Sequence, residues 1–494
     1  MPETRNDDRQ PVYHTVRLIA GPALFLVLIL MPRPDGVSPE AQATLALAGW
    51  MAAWWLTVAV PLAVTALLPL ALVPALGIAG PGDAAAPYAN PVIFLFMGGF
   101  FIAASMQRWQ LHRRIALAVV ARTGTSPRRL VAGFMLACAL LSMWMSNTAA
   151  TLMMMPIGTA VLTLMTRSGP NRSDDTPQLG AALMLAIAYA GSIGGVATLI
   201  GTPPNAILAG LADELLAVDL SFARWMAVGL PVSLAMLIAC WALLCFVLFK
   251  LPGRPIPGAA DVIEGERAGL GAWHPAERVT AVVFCLAALA WIFRAPKEIG
   301  GLTVPGIQTL LPQVGDSTIA IAAALALFLW PARDRDGRRT TVLDWRHAAG
   351  IPWDILVLFG GGLSLAAAFG FTGLTEWLGA ELTVLDGLPD WLIIASVATT
   401  FVFVTEITSN TATATLGLPV MAALGPAVGV EPLALMTAAA MGSSMAFMLP
   451  VATPPNAIVF GTGYIQPAQM SRAGFWLNWM GIVIITIAVS IVSG

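Results

Sequence analysis

The chain of 494 residues is short of charge. Only 11% of it is Asp, Glu, Lys or Arg, against 58% in the apolar set, and its mean hydropathy is +0.80. So little charge cannot solvate the surface of a globular enzyme of this length. Nor is there a basic excess: 25 Lys and Arg stand against 27 Asp and Glu, which removes the cationic footprint of a nucleic-acid binder. Cysteine is scarce, and Cys138, Cys240, Cys245 and Cys285 lie in apolar runs without metal-ligand spacing. They read as buried thiols and not as disulfides or ligands. None of His14, His112, His274 and His347 lies in an uncharged apolar block, and no His-Glu-x-x-His, Gly-x-Ser-x-Gly or phosphate-binding loop occurs. Intramembrane hydrolysis and ATP-driven pumping therefore lack their usual residues. The stretch before Val16 is polar and the first apolar run has no small-residue cleavage site, so no cleaved signal peptide is expected.

What the chain has in abundance is long apolar runs separated by short clusters of Arg, Asp, Gly and Pro. At about 20 residues per crossing the apolar content allows about fourteen spans, and the runs are too long for the alternating ten-residue segments of a membrane barrel. An all-α polytopic membrane protein is expected, with crossings at 16–32, 41–59, 60–80, 91–108, 180–213, 225–249, 279–295, 317–331, 351–372, 434–463 and 473–493.

Two further apolar blocks, 130–166 and 391–430, each carry a polar tripeptide at the middle: Ser146-Asn147-Thr148 and Ser409-Asn410-Thr411. Apolar residues flank the first tripeptide directly, where two full spans would have a charged or Gly/Pro turn. A re-entrant helical hairpin explains this better, and its arms of about 16 residues reach only about 24 Å. Two uncharged stretches, 176–212 and 432–471, are each interrupted by a proline pair, Gly201-Thr202-Pro203-Pro204-Asn205 and Ala452-Thr453-Pro454-Pro455-Asn456. Proline removes a backbone donor and restricts the residue before it, so both helices must break. Unpaired backbone at membrane depth is tolerated only against protein or an aqueous cavity.

The halves thus repeat. Gly98-Gly99 matches Gly360-Gly361 at an offset of 262, Asn147 matches Asn410 at 263, and Asn205 matches Asn456 at 251. Five crossings between the two hairpins make the second copy inverted relative to the first. With the N-terminus in the cytoplasm, 21 of the 25 basic residues fall inside and only Arg33, Arg224, Arg294 and Lys297 outside, as the positive-inside rule requires. The Arg108–Arg129 cluster reads as a topology signal on an interfacial helix.

No Lys or Arg lies near either tripeptide or either proline break. An anion held there must use helix N-termini, amides and hydroxyls, while the carbonyl ends of the broken helices suit a monovalent cation such as Na⁺. The alternative, that Ser, Asn and Thr serve only as interhelical hydrogen bonds, is weakened by the doubling of the whole pattern. The glycine pairs read as close-packing sites. Asp354 reads as stabilising a helix start, and Glu406 is a functional candidate at membrane depth for which a structural hydrogen bond serves equally well.

The doubled Ser-Asn-Thr, the doubled Thr-Pro-Pro-Asn, Ala53-Trp54-Trp55-Leu56-Thr57 and Thr405-Glu406-Ile407-Thr408-Ser409-Asn410-Thr411 resemble the divalent anion/sodium symporter family, the INDY-type dicarboxylate transporters, from about Ala41 onward. The resemblance implies an elevator-type transporter with eleven spans and two re-entrant hairpins, working as a homodimer among the lipids of the cell's inner (plasma) membrane. It divides the chain into 1–129, an N-terminal segment and scaffold helices with a basic interfacial helix; 130–250, a first transport half; 251–278, a cytoplasmic linker; 279–390, a second scaffold half; and 391–494, a second transport half. Carried over by residue, one sodium site would use Ser142, Ser146, Asn147 and the Gly201 carbonyl, the other Thr405, Asn410 and the Ala452 carbonyl. The substrate carboxylates would meet Asn147, Thr148, Asn410 and Thr411, with Thr202, Pro203, Thr453 and Pro454 closing the pocket. The implied activity is sodium-coupled import of C4-dicarboxylates such as succinate, malate or fumarate, with Na⁺ as coupling ion and no organic cofactor. A sulfate or other divalent-anion symporter and a dicarboxylate exchanger are the alternatives. One departure is visible: Val58 stands where the family usually has an acid.

Overall fold

A computed structural model describes residues 10–167, 175–256, 258–299, 302–334, 336–381 and 387–493. Arg5, Arg9, Arg172 and Arg335 of the charge distribution, and most of the polar loop near 167–179, lie outside them. Within the described residues the protein is helical, apart from two short antiparallel ribbons. Six helices are long and apolar enough to cross a membrane, and five apolar helices are shorter: Thr15–Leu30, Leu62–Ala75, Asp316–Leu329, Asp390–Thr405 and Pro432–Ser443.

Both hairpins form where the tripeptides stand. The first is Pro127–Ser142 and Asn147–Arg167; the second is Asp390–Thr405 and Asn410–Ala427. In each, the asparagine of the tripeptide begins the returning helix. Both proline pairs break their helices as well. The first runs Asp175–Val196, then an irregular loop, then Pro203–Leu216; the second runs Pro432–Ser443, a longer loop, and Pro454–Phe460. Proline fits the first turn of the restarting piece because that turn has no use for its missing N–H. Residues 179–196 are all buried, and such a helix, apolar all round, belongs at the centre of the protein.

The glycine pairs pack helices closely, as expected. A Cβ on Gly98 would fall 2.6 Å from the Ala320 backbone, and one on Gly361 would fall 2.3 Å from the Ala66 carbonyl. A Cβ on Gly360 would likewise fall 2.1 Å from the Tyr88 ring.

Several boundaries differ from the sequence reading. The expected span 60–80 is a shorter rod, Leu62–Thr65 and Leu68–Ala75, because Pro61, Pro69 and Pro74 interrupt it. The second broken helix ends at Phe460 and not at 463, and the last helix starts earlier, as Pro467–Ser493. The stretch 251–278 contains a helix, Ala259–Ala268, whose Glu266 pairs with Arg113 of the helix Leu111–Thr123. The ribbons Lys297–Ile299 with Leu302–Val304, and Pro331–Arg333 with Arg339–Thr341, were not expected at all.

Candidate substrate and cation site

The two hairpin tips and the two breaks meet around one cleft of about 490 Å³. All eight residues expected to hold substrate line it: Asn147, Thr148, Thr202 and Pro203 from the first half, and Asn410, Thr411, Thr453 and Pro454 from the second. Of the seven residues expected at cation sites, Ser146, Asn147, Gly201, Asn410 and Ala452 also line it. Ser142 and Thr405 lie behind them, fully buried. Among the described residues no ionisable side chain lines the cleft. An anion there is left with the free N–H groups at the starts of Asn147–Arg167 and Asn410–Ala427, each equivalent to about half a positive charge, and with neutral side chains.

Behind each asparagine the oxygens crowd. Ser142 Oγ lies 2.6 Å from the Asn147 amide and 2.6 Å from the Gly191 carbonyl. In the second half, Thr405 Oγ1 lies 2.7 Å from Asn410 Oδ1 and 2.8 Å from the Ser443 carbonyl. A hydroxyl has one proton to give, so it cannot satisfy both neighbours. The Asn147 amide can stand in either of two orientations, and only one of them leaves a surplus of oxygens. With its NH₂ turned inward it donates to Ser142 Oγ (2.6 Å), Gly191 O (3.2 Å) and Gly201 O (3.3 Å); with its carbonyl turned inward it faces oxygens only. A hard cation resolves that arrangement, since unwound backbone carbonyls and amide oxygens are its natural ligands. With the Asn147 carbonyl turned inward the oxygen set of the first half is of the kind that suits Na⁺, as is that around Thr405 and Asn410 in the second, and the carbonyls of Gly191 and Ser443 stand beside the residues named from sequence.

The asparagines that follow the proline pairs are structural. Asn205 Nδ2 donates to the carbonyls of Gly195 (3.1 Å), Val196 (3.3 Å) and Thr198 (2.7 Å), and Asn456 Nδ2 donates to those of Ala446 (3.2 Å) and Leu449 (3.0 Å). Each staples the open end of one helix piece to the start of the next, satisfying carbonyls that the break leaves bare. Thr453 adds a cap, accepting the Asn456 N–H at 3.4 Å.

Glu406 also turns inward to the backbone. Its carboxylate accepts from the N–H groups of Phe447 (2.7 Å), Met448 (2.9 Å) and Leu449 (3.3 Å) and from Asn478 Nδ2 (2.8 Å). It thereby anchors the break loop that presents the Ala452 carbonyl, and among the described residues it forms no ion pair. The first half has Met143 at the matching place. Asp354 sits in the first turn of Trp353–Thr372, where a helix-start role was expected.

Sequence reasoning missed the apolar rim of the cleft, formed by Leu56, Val58, Ile355, Ile407 and Val451. The position of Val58 after the Trp-Trp segment was its one signal. Val58 ends Pro39–Thr57 with φ 48°, a left-handed conformation that a β-branched residue rarely adopts, and it points an uncharged side chain at the cleft.

The stretch 13–492 matches the family model described as the sodium:sulfate symporter transmembrane region. The chain is 42% identical over 476 residues to the sodium-dependent dicarboxylate transporter SdcS of Staphylococcus saprophyticus, covering 96% of this chain and 90% of the relative. The SdcS protein of Staphylococcus aureus strain bovine RF122 matches with the same identity and coverage. Among solved structures, the YdaH transporter of Alcanivorax borkumensis aligns with a TM-score of 0.53 and 13% identity, covering 97% of this chain and 96% of that one. At that identity the likeness concerns the fold alone.

Proposed function

The chain belongs to the sodium:sulfate symporter family, and from that premise we propose that it imports C4-dicarboxylates such as succinate, malate or fumarate together with sodium. One observation carries the substrate class: a cleft without ionisable side chains, with an Asn-Thr pair at each of two opposed helix starts. A dicarboxylate has two separated charges, one for each pair. Sulfate, which the family's description names, concentrates its charge on one centre and would engage one pair well and the other poorly. The relatives named as dicarboxylate transporters point the same way.

Sodium is co-substrate in this reading. A cation behind Asn147 and another behind Asn410 would orient the amides, leaving their N–H groups to face substrate, and would supply the positive charge that the side chains lack. The substrate then binds only to the sodium-loaded protein. We take the protein to lie in the plasma membrane with its N-terminus cytoplasmic, to work as a homodimer, and to carry the cleft across by sliding the hairpins and broken helices as one unit against the remaining helices.

In liposomes holding the purified protein, uptake of labelled succinate should follow an inward sodium gradient. Unlabelled malate and fumarate should compete with it, and equimolar sulfate should not. Competition by sulfate as strong as by malate would overturn the dicarboxylate assignment. Ser142→Ala and Thr405→Ala each remove one oxygen from a cation site, equivalent to about 1 kcal/mol of hydrogen-bond-scale stabilisation. Each should therefore raise the sodium concentration for half-maximal uptake about fivefold, with the maximal rate recovered at high sodium. Unchanged sodium dependence in both variants would count against these sites.

A further inference from the structure

On the arginine-rich side of the protein, a cleft of about 600 Å³ opens between the start of helix Pro275–Ile292 and the ribbon of Pro331–Arg333 and Arg339–Thr341. Arg333 and Arg339 stand directly opposite each other across the ribbon, and both line the cleft. Like charges in that relation weaken a strand pair. Among the described residues neither forms an ion pair, and the nearby carboxylates are engaged elsewhere. Asp344 pairs with Arg108 at 3.0 Å and with His347 at 2.7 Å, and Glu277 pairs with Arg114 at 2.5 Å. Asp334 accepts the turn N–H groups of Asp336 and Arg338, and Asp336 is exposed at the ribbon tip. The cleft thus has an uncompensated cationic pair at its edge.

Apart from His274 and Thr340, its other lining is apolar. Trp330 is 54% exposed, and Leu329 beside it is 79% exposed, at the end of the apolar helix Asp316–Leu329. Tryptophan and a cationic pair at the end of a membrane helix mark the level of lipid headgroups, and basic clefts between such helices bind acidic headgroups.

We propose that this cleft binds the phosphate of an anionic phospholipid, gripped between Arg333 and Arg339, with the acyl chains running along Trp330 and Leu329. Guanidinium groups suit phosphate because their paired N–H groups match two of its oxygens. The site lies close to the transport path. Arg108 donates to the carbonyls of Thr341 (3.0 Å) and Val342 (3.2 Å) at the base of the same ribbon, and Arg108 and His347 line a second cavity, of about 440 Å³, that reaches Ser146. A lipid that settles the ribbon therefore steadies one wall of the approach to the first hairpin. The inference stands apart from the identity of the transported anion.

Native mass spectrometry of the full-length protein, extracted from vesicles of phosphatidylcholine mixed with phosphatidylglycerol, tests it. The wild type should retain phosphatidylglycerol in preference to phosphatidylcholine. Arg333→Gln with Arg339→Gln should lower that retention about tenfold, and the double lysine variant should restore part of it. Equal retention of the two lipids by the wild type, or undiminished retention by the glutamine variant, would overturn the proposal. Displacement of the lipid by millimolar inorganic phosphate would overturn the lipid assignment in favour of a free anion. Elution of the glutamine variant as a folded species on size exclusion, with sodium-driven uptake retained in phosphatidylcholine vesicles, shows that a lowered retention reflects the site and not unfolding.

Discussion

Asn147→Ala and Asn410→Ala should each cut sodium-driven succinate uptake about 100-fold, with the protein still folded and inserted. Each asparagine serves two partners at once. Its amide lies against the oxygen cluster behind the tip, with Ser142 and Gly191 in one half and Thr405 and Ser443 in the other, and it also lines the cleft. In the proposed mechanism, truncation to alanine therefore removes a cation ligand and a substrate donor together. A hydrogen bond to a charged group contributes about 1.5–3 kcal/mol, and every 1.4 kcal/mol is about tenfold in affinity, so the two losses combine to about two orders of magnitude. Stability should suffer less: Ser146 still accepts the Ala149 N–H at 3.3 Å at the first helix start, and the hydroxyls of Thr408 and Thr413 still meet at the second. Transport assays in liposomes, paired with thermal unfolding, separate the two effects; near-normal uptake by both variants would remove the site assignment.

A second large effect is expected at Glu406. Glu406→Ala strips the acceptor from the N–H groups of Phe447, Met448 and Leu449 and from Asn478. Leaving a buried donor unpaired costs about 1–3 kcal/mol each, so the break loop should loosen by several kcal/mol and take the Ala452 carbonyl with it. Glu406→Gln keeps the shape but turns an NH₂ toward backbone donors, so it should fall short of rescue. The expected result is a lower unfolding temperature in both variants, with succinate uptake lost in Glu406→Ala and strongly reduced in Glu406→Gln. A Gln variant with wild-type stability and uptake would show that the charge and the second oxygen are dispensable. The carboxylate also adjoins Thr405 and has no cationic partner among the described residues, so in the proposed mechanism the sodium ion behind Asn410 offsets its charge.

The parts of this architecture that could be read from sequence are those in which a single residue type forces a backbone outcome. Pro203-Pro204 and Pro454-Pro455 must break a helix wherever they stand, and Ser-Asn-Thr in an uncharged apolar run must turn it, so both hairpins and both breaks were legible to within a few residues. The parts that were not legible depend on groups without sequence identity or on distant partners. The carbonyls of Gly191 and Ser443 complete the oxygen clusters, yet any residue could have supplied them. Glu406 finds its partners at 447–449 and 478, far along the chain, so its anchoring role could not be separated from a catalytic or ligand role beforehand. The helix Ala259–Ala268 and the two ribbons lie in short polar connections whose pattern is too brief for either periodicity to register. Asn205 and Asn456 were visible only as part of a motif, and their stapling of the helix ends emerged from the carbonyls around them.

The central claim is that a dianion is held without a fixed basic residue, by helix starts, neutral amides and accompanying cations. Equilibrium binding of succinate to the purified protein, measured calorimetrically with sodium and with choline replacing it, tests this most directly. The account predicts saturable binding in sodium and none detectable in choline. Binding of equal affinity in both would contradict it, because some permanent positive charge would then have to lie within reach of the cleft.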